Sequence, residues 1–317
     1  IANNIGGIGK IKEIPGIYYR DNNTIIKNSI IEVNSDLDSY GHPDFDIIDM
    51  NNYSLTLQVD NGIKAISICT SRGCPFRCSF CAATLINHGR VRYHSAQWIV
   101  DEVKRCLDKY GHDYAIFFYD DHFLLNKNRI LEFCRLVKQE GLVFKWGCYS
   151  RVDVIDDEVL QNIKDIGCIM LTFGIESGSN KILKSMNKNV TSRKIIDVVR
   201  KIKSYKIKTR GSFIFGYPGE NILDIIRTYW MIFRSGFEIH ELVYSTYTMI
   251  YPKTKIEKYL PHGFDWHRKY SESELKQFVY VPVYVPPFDI VRRRFTFLLF
   301  LFYRYYKKIN RFFYGEH

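Results

Sequence analysis

The sequence predicts an α/β fold, a partial (β/α)6 TIM-like barrel with an N-terminal linker remnant and a C-terminal helical segment. Three observations carry that expectation. From about residue 63, short apolar runs alternate six times with stretches of helical period. Such alternation is that of right-handed βα units in a parallel sheet, and it stops short of the eight units of a closed barrel. A loop holding three cysteines directly follows the first strand, at the strand end where such folds carry their chemistry.

The elements follow in order. Residues 1–60 read as loops and short extended pieces, punctuated by Gly6-Gly7, Pro15-Gly16, Asp21-Asn22-Asn23 and Pro43. Ile17-Tyr18-Tyr19 and Ile25-Ile26 flank the Asp-Asn-Asn turn, which predicts a small hairpin. Strands are expected at 65–69, 114–119, 144–149, 169–175, 209–215 and 242–250. Helices are expected at 96–110, 128–140, 156–166, 192–205 and 223–235; Ser95 precedes the first as an N-cap, and Ile99, Val103, Cys106 and Leu107 recur along it at helical spacing. The division is therefore 1–60 as loops and short extended pieces, 61–255 as the core and 256–317 as a basic, aromatic helical segment.

Composition narrows the function class. A chain of 317 residues with 46% hydrophobic and 25% charged residues has a globular balance. Its net charge of +11 is uneven: Arg292–Arg294, Arg304, Lys307, Lys308 and Arg311 in the tail face only Asp289 and Glu316. No extended cationic groove is evident elsewhere, so nucleic acid is not expected as a partner. The chain opens on Ile1 with no signal-type stretch, which reads as a fragment of a longer cytoplasmic protein. Of its 8 cysteines, Cys69, Cys106, Cys134, Cys148 and Cys168 sit among apolar neighbours and read as idle thiols.

The remaining three form Cys74-Pro75-Phe76-Arg77-Cys78-Ser79-Phe80-Cys81, a C-x3-C-x2-C loop. Zinc sites usually pair two ligand sets, and no second C-x2-C or H-x3-H set exists here. Three thiolates suit a [4Fe–4S] cubane whose fourth iron is left open. Downstream lie Gly174-Ile175-Glu176-Ser177-Gly178-Ser179 after the fourth strand and Gly211-Ser212-Phe213-Ile214-Phe215-Gly216-Tyr217-Pro218-Gly219-Glu220 at the fifth.

Together these segments resemble the radical S-adenosylmethionine (SAM) superfamily. The resemblance implies that the open iron chelates the amino and carboxylate groups of SAM. It implies that an electron from the cluster, supplied by a donor such as flavodoxin or ferredoxin, cleaves the sulfonium to a 5′-deoxyadenosyl radical that takes hydrogen from substrate. It places Phe80 near the adenine, Glu176 and Ser177 at the ribose, and Ile214, Phe215 and Gly216 along the adenine-binding strand edge, with Met186 and Thr191 also in family register. Where relatives have Gly-Gly-Glu after the second strand, this chain has Tyr119-Asp120-Asp121-His122. Asp120 or Asp121 is the expected acceptor for the SAM ammonium, unless one of them caps the next turn. Arg92 and Arg151 are candidates for the SAM carboxylate or an anionic substrate, and His88, His94 and His122 read as ordinary polar contacts.

Ile14–Arg20, Asp36-Leu37-Asp38-Ser39 with Pro43, and Trp146-x-Cys148-x-x-Arg151-Val152-Asp153 are similar to the branch that carries a cobalamin-binding domain. That branch includes C-methyltransferases, ring-forming enzymes and anaerobic porphyrin cyclases. The expected activity is cobalamin-dependent methyl transfer to an unactivated carbon of a small or lipophilic molecule, with a cyclase or methylthiotransferase as alternative and a non-catalytic iron–sulfur nucleic-acid binder as the distant one. One departure is Lys253, where relatives usually carry Gly. Phe295–Tyr303, flanked by cations, is too short to span a bilayer. It is expected either to dock on the barrel or to touch a membrane surface peripherally.

Overall fold

The computed structural model describes residues 14–28, 33–47, 49, 52–53, 55–57, 62–236, 238–245 and 251–259. The expected C-terminal helical segment from residue 260 onward lies outside them, as do residues 246–250 of the sixth strand. The N-terminal hairpin is present: β1 (Tyr18–Asp21) pairs antiparallel with β2 (Thr24–Lys27) around Asn22, whose φ of 52° suits an Asn in a tight turn. Residues 33–47 lie along the first long helix. Asp38 accepts from Ser95 N at 3.1 Å, and the Trp98 ring stacks on His42 and His94 at 4.8 and 3.7 Å.

The core sheet contains β3 (Thr56–Leu57), β4 (Ile63–Ile68), β7 (Ala115–Phe118), β8 (Trp146–Ser150), β9 (Cys168–Glu176), β10 (Lys208–Ile214) and β11 (Ile239–Ser245). Its order is β11-β10-β9-β8-β7-β4-β3, so the parallel strands lie side by side in chain order. A doubly wound sheet would reverse order at a switch point. An order without reversal puts every crossover on one side and lets the twisted sheet curl into a partial barrel. Short β3 adds antiparallel at the first edge, which the sequence did not announce.

The crossovers are α2 (Ala96–Tyr110), α3 (Lys127–Gln139), α4 (Asp157–Asp165), α6 (Ser192–Ser204) and α7 (Ile222–Arg234), and two shorter helices are α1 (Ala83–Ile86) and α5 (Asn180–Ser185). Each crossover helix opens on a side-chain cap: Ser95, Asn126, Asp156, Thr191 and Asn221 accept from a backbone N–H of the first turn. Each such cap contributes about 1 kcal/mol. The strands' period of two then sorts the side chains. Ile66, Ile116, Phe118, Trp146, Leu171 and Phe173 face the helices in one continuous buried core. Ala65, Phe117 and Met170 face the other way, into the barrel. Among the described residues no helix is long and apolar enough to cross a membrane.

Candidate active site at the barrel mouth

The cysteine loop leaves the barrel through a narrow neck. β5 (Ser71–Arg72) pairs with β6 (Arg92–Tyr93), so residues 73–91 form an excursion closed at its base. Gly73 at the neck has φ 96°, and a Cβ there would lie 2.2 Å from Arg90 O, so only glycine fits. Thr84 Oγ1 donates to Phe76 O at 2.5 Å, and Cys81 N donates to Cys78 O at 3.2 Å. The loop is also tied across the mouth. Ser79 N donates to Met186 O at 3.0 Å, Asn187 Nδ2 to Arg77 O at 2.7 Å, and Ser79 Oγ meets Tyr217 Oη at 2.6 Å. The segment after the first parallel strand is thereby held against those after the fourth and fifth.

Cys74, Cys78 and Cys81 are half-buried on this loop. Burial pushes the Cys74 and Cys81 thiols up, and Asp121 together with the neighbouring cysteines adds to the effect. Thiolates so placed repel one another until a cation joins them, which is the chemistry of a metal-ligand set. Among the described residues no trio of His, Cys, Asp or Glu surrounds a single ion. A cubane asks for no such convergence, because each thiolate binds a different iron, whereas zinc does. Three thiols on one pinned loop are a donor set that an iron–sulfur cluster takes. Four other thiols lie in the core: Cys106 and Cys134 are buried and pushed up to about 12, and Cys148 and Cys168 are buried, whereas half-buried Cys69 donates to Tyr119 O at 3.4 Å.

The two aspartates after β7 separate. Asp120 is 2% exposed, and its carboxylate accepts from Thr70 N at 2.9 Å, Thr70 Oγ1 at 3.1 Å and Ser71 Oγ at 2.5 Å. Arg129 on α3 completes the knot by donating to Thr70 O and Oγ1 at 3.0 Å. Asp120 therefore ties two strand ends together. Asp121 is exposed, and its charge bears on Cys74 and Cys81, where an incoming ammonium could meet it. His122 is 1% exposed and neutral, its pKa pushed down to about 4 by burial and by the Arg151 cation. Neither ring nitrogen has a hydrogen-bond partner among the described residues.

At the end of β9 the register slips: Ser212 pairs with Gly174, but Phe213 pairs with Glu176. This bulge re-aims Glu176, whose φ of 65° lies in the left-handed region that a non-glycine residue rarely occupies. Lys188, 5% exposed, binds Gly174 O at 2.6 Å and Glu176 Oε1 at 3.2 Å. Sequence reasoning missed this lysine, although Asn187 and Asn189 on either side, both at positive φ, mark a tight turn there. Phe80 and Ile214 each pack against the cluster of Ile182, Met186, Tyr217 and Ile256. Gly216 N donates to Glu220 Oε2 at 2.6 Å.

Two candidates turn away from the mouth. Ser177 Oγ meets Thr228 on α7 at 3.3 Å, and Phe215 stacks between Phe213 and Tyr229 at 6.3 and 5.9 Å. A third, Arg92, donates to Asn34 O at 2.9 Å, in the N-terminal segment. Lys253 has φ 64°, a left-handed conformation that favours glycine, and donates its N–H to Glu257 Oε2 at 2.7 Å.

Comparison with known proteins agrees with this geometry. The family described as the Radical SAM superfamily matches residues 68–231. An uncharacterized methyltransferase of Pyrococcus horikoshii is 32% identical over 79% of this chain and 52% of its own length. The anaerobic magnesium-protoporphyrin IX monomethyl ester cyclase of Cereibacter sphaeroides is 27% identical over 69% of this chain and 36% of its own. The chain thus spans about half or less of the length of these relatives. Among solved structures, the methyltransferase TsrM of Kitasatospora setae, with cobalamin and a [4Fe–4S] cluster bound, superimposes with a TM-score of 0.53 at 19% identity over 60% of this chain and 35% of that one. That likeness shows the shared fold, and the family match covers more than half of the chain. With the cysteine loop, the bulged Glu176 and the curled parallel sheet in place, the chain belongs to the radical SAM superfamily.

Proposed function

We infer that this chain is the catalytic barrel of a radical SAM C-methyltransferase. Cys74, Cys78 and Cys81 hold a [4Fe–4S] cluster, and cobalamin is carried by a part of the protein outside this chain. The observation that carries the reading is the pinning of the loop with its three half-buried thiols across the mouth to Met186, Asn187 and Tyr217, beside the apolar cluster that Phe80 and Ile214 both join. When bound, the cluster supplies the electron that splits SAM into methionine and a 5′-deoxyadenosyl radical, and methylcobalamin supplies the methyl group to the substrate carbon.

The chain's own residues bind and orient. Asp121 offers a carboxylate to the SAM ammonium, and Glu176, its second partner Lys188 already in place, accepts from the ribose hydroxyls. Phe80 and Ile214 give an apolar contact to the adenine. The P. horikoshii relative's description as a methyltransferase supports methyl transfer, and the cyclase relative keeps ring formation as the second reading.

The test is anaerobic reconstitution with iron and sulfide, followed by reduction with dithionite in the presence of SAM. About four iron and four sulfide per chain and release of 5′-deoxyadenosine are expected. Loaded protein that never cleaves SAM sinks the reading. Cobalamin binding by the full-length protein decides between methyl transfer and chemistry that needs no corrin.

A further inference from the structure

We propose that Arg151 delivers a charged N–H to the Cys78 sulfur and thereby raises the reduction potential of the cluster held by the three cysteines. The inference rests on the reading above that the cysteines hold a [4Fe–4S] cluster. From sequence, Arg151 is a candidate for binding the SAM carboxylate. Its geometry gives it another task.

Arg151 follows β8 and is 8% exposed. Its Nε and Nη2 bind the two oxygens of Asp153 at 2.9 and 2.8 Å, and Nη2 also reaches Lys188 O at 2.7 Å. The guanidinium lies 3.8 Å from the centre of the Phe76 ring, the middle residue between Cys74 and Cys78. Phe76 in turn stacks on His122 at 5.9 Å. So fixed, Arg151 directs Nη1 to Cys78 Sγ at 3.6 Å, an ordinary length for a hydrogen bond to sulfur.

The three sulfurs are served unequally. Cys74 receives the backbone N–H of Phe76, and Cys81 that of Ala83 at 3.5 Å, both neutral donors from the loop itself. Cys78 receives its donor from another strand, and that donor is a cation. A cationic donor is roughly twice as strong as a neutral one. Reduction adds negative charge that spreads onto the ligating sulfurs, so an N–H at one of them stabilises the reduced state more than the oxidised one. Asp153 tempers the charge but also holds the fork in place, which makes Arg151 a positioning and tuning residue.

The experiment compares reconstituted wild type, Arg151→Lys, Arg151→Met and Asp153→Asn by iron count and by a redox titration followed by electron paramagnetic resonance. With iron retained, Arg151→Met is expected to lower the potential, Arg151→Lys to recover part of it, and Asp153→Asn to raise it. Guanidino-15N arginine incorporated into wild type should show a 15N coupling to the reduced cluster that Arg151→Met lacks. A potential unchanged in Arg151→Met at full iron content overturns the proposal, and weakened SAM affinity beside that unchanged potential assigns Arg151 to SAM instead. Should Arg151→Met fail to hold iron, the labelled wild type decides, and absence of the coupling overturns the proposal. A wild type that assembles no cluster overturns the functional reading, and this inference with it.

Discussion

On the helix-facing side of the sheet, β7 and β8 carry Ile116, Phe118, Trp146 and Cys148, all 0% exposed, with the Phe118 and Trp146 rings packed edge-to-face or stacked on Phe123 and Phe133. On the other side the same sheet carries Ser67, Tyr149 and Thr172, and at the mouth the exposed Tyr119. Thr172 is 1% exposed and keeps a hydroxyl with no hydrogen-bond partner among the described residues. One face is packed with apolar and aromatic side chains, and the other mixes apolar ones such as Phe117 and Met170 with polar groups and strained backbone. A strand that alternates every residue can thus carry stability on one side and chemistry on the other. Substitutions on the two sides should have separable consequences.

The largest effect belongs to the mouth. Cys78→Ala is expected to reduce SAM cleavage to background while changing the unfolding free energy of the cluster-free protein, by urea titration, by no more than about 0.5 kcal/mol, since the side chain is only half-buried. Next comes the opposite face. Trp146→Ala empties a fully buried site whose Nε1 donates to Ile166 O at 3.0 Å, and should destabilise by about 3–5 kcal/mol. SAM affinity of the fraction that stays folded should not change. If Trp146→Ala weakened SAM binding as strongly as it weakened folding, the separation of faces would fail.

His122 stands between the two, a buried group placed at the mouth. The unfolded chain takes up its proton near pH 6.5, the folded ring only near 4, so between these values the unfolded state binds more protons. Stability should therefore fall as pH drops through that window, by on the order of 3 kcal/mol. His122→Phe removes the titration and should flatten this part of the urea-unfolding profile. Equal acid slopes in both proteins would show that His122 does not carry it.

The elements were legible because apolar periodicity is a local property. The helix at 96–110 was placed to the residue, and the first five strands came within about two residues of their ends. The sixth was expected to start at 242 and begins at Ile239. The β5–β6 neck and α5 escaped because two strand residues or six helical ones show no period. The site was half legible for a different reason. The cysteine spacing is contiguous in sequence, whereas Asp120 and Asp121 share one local context. What separates them is Thr70 and Ser71 some fifty residues upstream, with Arg129 behind, none of which sequence marks as partners. Arg151 is the same case, since Cys78 lies 73 residues away. Ser177 and Phe215 were drawn from motifs whose neighbouring residues, Glu176 and Ile214, face the mouth while they face α7.

The smallest expected effect sharpens the comparison most, because it concerns a residue whose backbone is strained for its position. Glu176 holds φ 65° at the bulge, a conformation that costs on the order of 1–3 kcal/mol and persists only where the surroundings enforce it. Lys188 and the β10 register enforce it here. Glu176→Gln keeps the shape and removes the charge, so the backbone should stay while acceptance from the ribose hydroxyls weakens. SAM affinity of the reconstituted protein, by calorimetry, should fall about tenfold, or about 1.4 kcal/mol. A 2′-deoxyribose analogue of SAM identifies the contact. Wild type should lose affinity for it, whereas Glu176→Gln should lose less, because the partner hydroxyl and its acceptor belong to one interaction. Losses that simply add would place Glu176 away from the ribose and leave its strain to the Lys188 pair alone.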